Sequence, residues 1–266
     1  MLKQSKPLSA SCLKSLDRSP EHCWENHLNP DRVRTSSPAM MLGSLVHCMA
    51  LEPQEVVKRY APMPEGMTRR GKVYQEWLSE QDGKDVVSYN DYMLAVKLLY
   101  KIYHLDILPS VPEEADRTKW GFESKIYWRE QVGPHRPEMI GILDAIDYES
   151  KIVYDIKTTN NADDLGKVAA NGRWDLQAVQ YMEGANAMHG PSFRVKFIVV
   201  ETNSPFRIRV VELDPVAMMN GKQSRQRLIQ EFVERLENND WTGEVESDVK
   251  LPNWFNATER NKNEIF

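Results

Sequence analysis

The stretch Gly141-Ile142-Leu143-Asp144, followed eleven residues later by Asp155-Ile156-Lys157-Thr158-Thr159, lies on two neighbouring predicted strands. Side chains alternate in direction along a strand, so Asp155 and Lys157 are expected on one face. Asp144 lies on the preceding strand, one short turn away, and antiparallel pairing can place it opposite Asp155. The sequence therefore predicts two carboxylates and one ammonium converging at a strand end.

That group of charges indicates phosphodiester hydrolysis. Two close carboxylates repel each other unless a cation lies between them. Mg²⁺ binds hard oxygen ligands and shares its coordination with substrate phosphate, and Mn²⁺ is expected to substitute for it. A metal ion stabilises the charge that develops on the phosphate, and a neighbouring lysine can orient the attacking water.

The surrounding pattern predicts one central sheet. Strands are expected at 122–129, 139–147, 152–157, 193–201 and 206–213. Helices are expected at about 9–19, 38–53, 71–80, 90–105, 161–170, 173–188 and 216–238, and residues 54–70 are expected to be loop-rich. This order predicts an α+β (mixed α/β) fold, with a mostly antiparallel to mixed sheet flanked by helices.

Length and charge limit the organisation and the class of protein. The 266 residues suit a single domain, with a helical part at about 1–110, a core at about 115–240 and a polar tail at 241–266. The net charge of −5 argues against an open basic DNA-binding module. The same net charge is compatible with an enzyme that encloses DNA with a basic lining.

Cysteine usage and hydropathy favour a cytoplasmic protein. The three cysteines, Cys12, Cys23 and Cys48, include no C-x-x-C pair, which argues against a disulfide framework, a zinc site or an iron–sulfur cluster. No segment approaches the roughly 20 apolar residues that cross a bilayer, and the N-terminus lacks an apolar signal segment. No membrane association is expected.

Five motifs in order resemble a known nuclease family. Asp144 with Asp155-x-Lys157 resembles the PD-(D/E)xK pattern of nucleases with a restriction-endonuclease-like core, with Ile142-Leu143-Asp144 in place of Pro-Asp. The wider set is similar to exonuclease VIII-type recombination nucleases of phages and prophages. It comprises Gly43-Ser44-Leu45-Val46-His47 for G-x-x-x-H, Glu123, Asp155-Ile156-Lys157-Thr158-Thr159 for D-x-K-T-T, and Gln177-Ala178-Val179-Gln180-Tyr181 for Q-x-x-x-Y. The resemblance runs from about residue 9 to 181 and is weakest at 54–118 and beyond 215.

The resemblance implies an ATP-independent exonuclease that resects double-stranded DNA ends from the 5′ side and leaves 3′ overhangs. Such enzymes form homo-oligomeric rings of three or four subunits and pass the overhang to a single-strand annealing protein. The resemblance also implies roles for individual residues. Metal ligands would be His47, Asp144, Asp155 and the Ile156 carbonyl; catalytic support would come from Glu123 and Lys157; substrate contacts would come from Gln177 and Tyr181.

Further basic residues are candidates for DNA contact. Arg69 and Arg70 belong to the densest basic cluster, in a segment rich in proline and glycine, and Lys125 flanks the predicted centre. Glu123 alternates with basic residues on its strand, so a salt-bridging role for it stays open.

Three other functions remain open at this point. The same centre could serve a structure-specific or restriction-like endonuclease. A catalytically silent DNA-binding member of the fold would require Asp155 or Lys157 to be dispensable. An iron–sulfur nuclease would need a fourth cysteine.

Overall fold

The computed structural model describes residues 6–33 and 36–243. Beyond Gly243, the predicted polar tail lies outside the described residues. The helices are α1 (Ala10–Arg18), α2 (Pro20–Cys23), α3 (Pro38–Leu51), α4 (Pro53–Arg59), α5 (Lys72–Ser79), α6 (Tyr89–Tyr103), α7 (Leu165–Asn171), α8 (Trp174–His189) and α9 (Pro215–Asn238), with a π-helical turn at Trp24–Leu28. The strands are β1 (Tyr60–Pro62), β2 (Asp85–Val87), β3 (Trp120–Arg129), β4 (Glu138–Asp147), β5 (Ile152–Thr159), β6 (Arg194–Glu201) and β7 (Ile208–Val211). None of the helices in this part of the chain has the length and apolarity to cross a bilayer.

Local sequence signals explain where the N-terminal helices begin. The Ser9 hydroxyl accepts a hydrogen bond from the Cys12 N–H and caps α1. Pro38 stands in the first turn of α3, where its missing N–H costs little, and Ser37 caps that helix. Pro53 ends α3 as expected, but it also starts α4.

The expectation of a loop-rich segment at 54–70 is therefore wrong for its first part. Residues 53–59 are helical, and 60–62 form β1, which pairs in parallel with β2. This pairing joins segments that are far apart in sequence, so no local pattern reveals it.

The predicted central sheet is confirmed, with strand order β3-β4-β5-β6-β7. The β3–β4 and β4–β5 pairs are antiparallel hairpins, as predicted. The β5–β6 pair is parallel, because α7 and α8 connect these strands across the sheet, and β7 returns antiparallel to β6. The mixed α+β class is thus confirmed.

Helices cover both faces of this sheet. On one face α1, α8 and α9 bury a cluster that includes Leu13, Leu176 and Phe232. On the other face α3 and α6 bury a second cluster that includes Leu45 and Ile102. Side chains from the helices on both faces can therefore contact a functional group at the end of the central strands.

Arg225 on α9 fixes the position of α8 on the sheet. Its side chain is buried, and its Nε donates to Gln180 Oε1 at 2.7 Å while Nη1 donates to Glu130 Oε2 at 3.0 Å. Gln180 Nε2 then donates to the carbonyl oxygens of Leu8 at 3.1 Å and Ile140 at 3.3 Å. One buried guanidinium thus links α9 to α8, to the residue that follows β3 and, through Gln180, to β4.

Arg225→Ala is expected to lower the free energy of unfolding by about 3–5 kcal/mol, because it leaves Glu130 partly buried without its cation. The exposed Arg227, which pairs with Asp17, provides the matched control. Arg227→Ala should cost no more than about 1 kcal/mol. Urea denaturation of the two variants measures the difference, and equal losses would contradict this role for Arg225.

Candidate active site

The site begins where β4 and β5 separate. Their last ladder pair is Ala145 with Tyr154, and one step further the same register sets Asp144 opposite Asp155. At that step a side chain replaces the backbone pairing, because Asp144 Oδ2 accepts the Ile156 N–H at 2.7 Å. The strand pair therefore opens where the two carboxylates stand.

Asp155 and Lys157 lie on the same face of β5, as strand alternation predicts. Asp155 is only 1% exposed, and Lys157 Nζ lies against its Oδ2. Even so, Oδ2 accepts no well-directed hydrogen bond from the described residues. The Lys157 ammonium offsets part of the cost of burying this oxygen, and its remaining acceptor position suits a second cation or donor.

The G-x-x-x-H motif has a structural explanation. Gly43 and His47 are one helical turn apart on the face of α3 that meets the end of β5. A Cβ on Gly43 would lie 3.0 Å from Thr158 Oγ1, so the glycine permits this close approach. His47 then sets Nδ1 at 3.2 Å from Asp144 Oδ2 and Nε2 at 2.6 Å from the Ile156 carbonyl oxygen.

Glu123 completes a row of acidic residues across three strands. The β3–β4 register sets it opposite Asp144, but this pair is missing from the ladder. Glu123 has φ of +45°, a left-handed conformation that an L side chain rarely adopts within a strand. One ligand atom each from His47, Glu123 and Asp144 lie within 4.8 Å of one another.

Burial and mutual repulsion raise the pKa values of Glu123 and Asp144. Burial, helped by the neighbouring Asp144, raises the pKa of Glu123 to about 7. Burial also raises the pKa of Asp144 to about 6, with Asp155 adding to the rise and His47 opposing it. Both shifts indicate negative charge that the protein alone does not neutralise.

The strained backbone at Glu123 leads to a stability prediction. Glu123→Gly and Glu123→Ala both remove the carboxylate, but only glycine adopts the left-handed conformation freely. In EDTA, the glycine variant should be more stable to urea by about 1 kcal/mol. A more stable alanine variant would show that the left-handed conformation is not retained.

Gln177 and Tyr181 approach Asp155 from α8. Gln177 Nε2 donates to Asp155 Oδ1 at 2.7 Å and to the Tyr181 hydroxyl at 3.0 Å. Burial raises the pKa of the Tyr181 phenol, so it stays protonated and remains a donor. The two residues of the Q-x-x-x-Y motif thus lie on one face of α8 and are joined by a hydrogen bond.

Residues 9–247 match the family described as a PDDEXK-like domain of unknown function (DUF3799). The chain belongs to this PD-(D/E)xK family. A crystal structure of a candidate exonuclease from Eubacterium rectale is similar to it, with TM-score 0.60 and 12% identity over 92% of this chain and 90% of that one. The structure of SSO0001 has TM-score 0.33 and 16% identity over 86% of each chain, which is too low to support an argument. A comparison with curated proteins found no match.

Family membership and the structural similarity confirm two predictions. The chain is a PD-(D/E)xK nuclease, an enzyme of the deoxyribonuclease class. The similarity to the Eubacterium rectale structure confirms the restriction-endonuclease-like fold. PD-(D/E)xK nucleases use a divalent metal ion.

The residues of this site fit such an ion. The potential donors are carboxylate oxygens, a backbone carbonyl and an imidazole, a set that suits Mg²⁺ or Mn²⁺. Asp155 Oδ2, which accepts no well-directed hydrogen bond from the described residues, and the raised pKa values of Glu123 and Asp144 provide further support. His47 contacts both Asp144 and the Ile156 carbonyl, which places its imidazole beside the oxygen donors.

Three predicted substrate-binding residues lie outside this group. Arg69 Nη2 donates to the Val86 carbonyl at 3.0 Å, next to the small parallel sheet. Arg70 is exposed in the same segment. Lys125 is exposed on β3, opposite Ile142. Their contacts with DNA remain predictions.

One polar residue of the site is absent from the motifs. Lys14 on α1 donates from Nζ to Gln177 Oε1 at 2.8 Å, which fixes the amide so that its nitrogen faces Asp155. Burial, together with nearby Lys157, lowers the pKa of Lys14 to about 8. The sequence signal was weak, because a lysine on the polar side of a short helix is usually a solvated surface residue.

Proposed function

We propose that the chain is a Mg²⁺-dependent exonuclease that degrades one strand of double-stranded DNA from its 5′ end and leaves a 3′ overhang. The convergence of Asp144, Asp155 and Lys157 at the opening between β4 and β5 carries this proposal. The order and spacing of the motifs, which resemble those of exonuclease VIII-type enzymes, support its direction.

The residues have distinct roles in this proposal. Asp144, Asp155, His47 and the Ile156 carbonyl would hold the divalent ion, and Glu123 would support it from β3. When bound, this ion supplies positive charge that stabilises the hydrolysis of a phosphodiester.

Lys157 orients the attacking water and contributes positive charge to the phosphate as the P–O bond breaks. Gln177 holds Asp155 Oδ1 in place. The Tyr181 hydroxyl accepts from Gln177, and this leaves its proton available to a substrate phosphate.

The assembly and partners follow from the resemblance. We propose a ring of three or four copies, because closure of a ring around the duplex would restrict hydrolysis to ends. A single-strand annealing protein would receive the overhang. Residues 1–266 would act as one exonuclease domain, and the three free cysteines are compatible with a cytoplasmic enzyme.

Three forms of the same duplex test this function: linear, nicked and covalently closed circular DNA, each incubated with Mg²⁺. The proposal expects degradation of the linear form alone, with early release of label from the 5′ end. Cleavage of the closed circle would identify the endonuclease alternative. Binding without cleavage of any form would identify a catalytically silent protein. The solution mass tests the ring.

A further inference from the structure

Lys14 is an ammonium without a carboxylate partner at the edge of the active site. Its side chain is half-buried and donates to the neutral amide of Gln177. Within residues 6–33 and 36–243, no carboxylate forms an ion pair with it. Asp155 and Asp175 act on this ammonium electrostatically but lie beyond ion-pair distance. A partly buried cation without a direct carboxylate contact favours an anionic ligand.

A cavity of about 150 Å³ opens beside this ammonium, between α1, β4 and α8. Lys14, Gln177 and Tyr181 lie on its lining together with Ser11 near the start of α1. Gln177 also contacts Asp155, so the cavity adjoins the catalytic carboxylates directly.

The cavity has apolar walls as well as polar groups. Ile142 on β4 lines it and is 40% exposed, although it lies two residues from the buried Asp144. An apolar wall opposite a cation suits a sugar joined to a phosphate better than it suits a free inorganic ion. Hydroxyl donors are available from Ser11 and Tyr181.

We propose that Lys14, with the hydroxyls of Ser11 and Tyr181, binds a DNA phosphate adjacent to the one hydrolysed, and that Ile142 contacts its deoxyribose. This inference rests on the proposed nuclease function. Helix α1, which carries none of the motifs, would then contact the substrate strand directly.

Three substitutions separate the charge of Lys14 from its hydrogen bond to Gln177. Lys14→Arg keeps both, Lys14→Gln keeps a donor without charge, and Lys14→Met removes both. Lys222 on α9 is an exposed cation paired with Glu183, so Lys222→Met is the matched control. All variants are made in the full chain carrying Lys157→Ala, so that the DNA is not consumed.

The measurement is duplex affinity by fluorescence anisotropy over a series of NaCl concentrations. Each lost phosphate contact reduces the steepness of log K against log[NaCl] by about 0.7–0.9. We expect this reduction for Lys14→Met and Lys14→Gln, and an unchanged slope for Lys14→Arg and Lys222→Met. Thermal unfolding of each variant checks that the fold is retained, and Lys14→Gln and Lys14→Arg decide the result if Lys14→Met unfolds.

Unchanged slopes in all Lys14 variants would overturn the proposal. Weak binding by Lys14→Met alone would also overturn it, because Lys14 would then act only through Gln177. Repeating the series with 5′-phosphoryl and 5′-hydroxyl duplexes identifies which phosphate Lys14 contacts. If the slope difference between the Lys14 variants and the parent disappears with the 5′-hydroxyl duplex, Lys14 contacts the terminal phosphate. If the difference persists, Lys14 contacts an internal phosphate. If the parent protein binds no DNA at all, the proposed function itself fails.

Discussion

Lys157→Ala is expected to abolish DNA hydrolysis and to leave duplex binding largely intact. Lys157 Nζ lies against the buried Asp155 Oδ2, beside the acidic row. Lys157 is not itself a proposed metal ligand, so its removal leaves the ligand set intact. Loss of one positioned charge at the reacting phosphate typically costs on the order of 10²–10³ in rate, and loss of water orientation adds to this. Single-turnover hydrolysis of a linear duplex measures the loss.

Two further variants make this result specific. Lys157→Arg should not restore activity, since the guanidinium is rigid and does not give up its proton. Lys222→Ala, which removes an exposed lysine on α9, should cleave at the wild-type rate. If Lys157→Ala degrades DNA at near the wild-type rate, the role assigned to Lys157 is wrong.

Asp144→Asn is expected to remove the response of the protein to Mg²⁺. Asp144 stands at the centre of the acidic row, opposite Glu123 and beside Asp155, and also contacts His47. A ligand that binds only the folded state at a hundred times its Kd adds about 2.7 kcal/mol to stability. Thermal unfolding of the wild type should therefore shift upward with Mg²⁺, and that of Asp144→Asn should not.

The stability of Asp144→Asn measured without Mg²⁺ provides an internal check on this prediction. Without the ion, Asp144→Asn should be at least as stable as the wild type, because a neutral amide replaces a buried carboxylate next to Asp155 and can still accept from Ile156. Asp85→Asn, at an exposed carboxylate on β2, should respond to Mg²⁺ as the wild type does. An equal Mg²⁺ shift in Asp144→Asn would contradict the ligand role.

The hairpin at the centre of the site was predictable from sequence, and the reason is geometric. Alternation sets Asp155 and Lys157 on one face, and a short turn limits the register that can pair β4 with β5. The i and i+4 spacing likewise indicated that Gln177 and Tyr181 share a face of α8. These features depend on contacts between residues close in sequence.

Features that depend on distant contacts were not predictable. The parallel pairing of β1 with β2 joins segments separated by more than a helix. The left-handed backbone at Glu123 has no local signal, since glutamate is not a residue that favours positive φ. Lys14 reaches Gln177 across 163 positions of sequence, so only the packing of α1 against α8 reveals it.

The most direct test of the metal centre is a crystal of the full chain soaked in Mn²⁺ and measured at the manganese absorption edge. If the metal centre is as proposed, an anomalous peak is expected between β4 and β5, bonded to Asp144 and Asp155 at about 2.0–2.4 Å, with His47 turned toward it. A peak that avoids both carboxylates, or none there at saturating Mn²⁺, would contradict it.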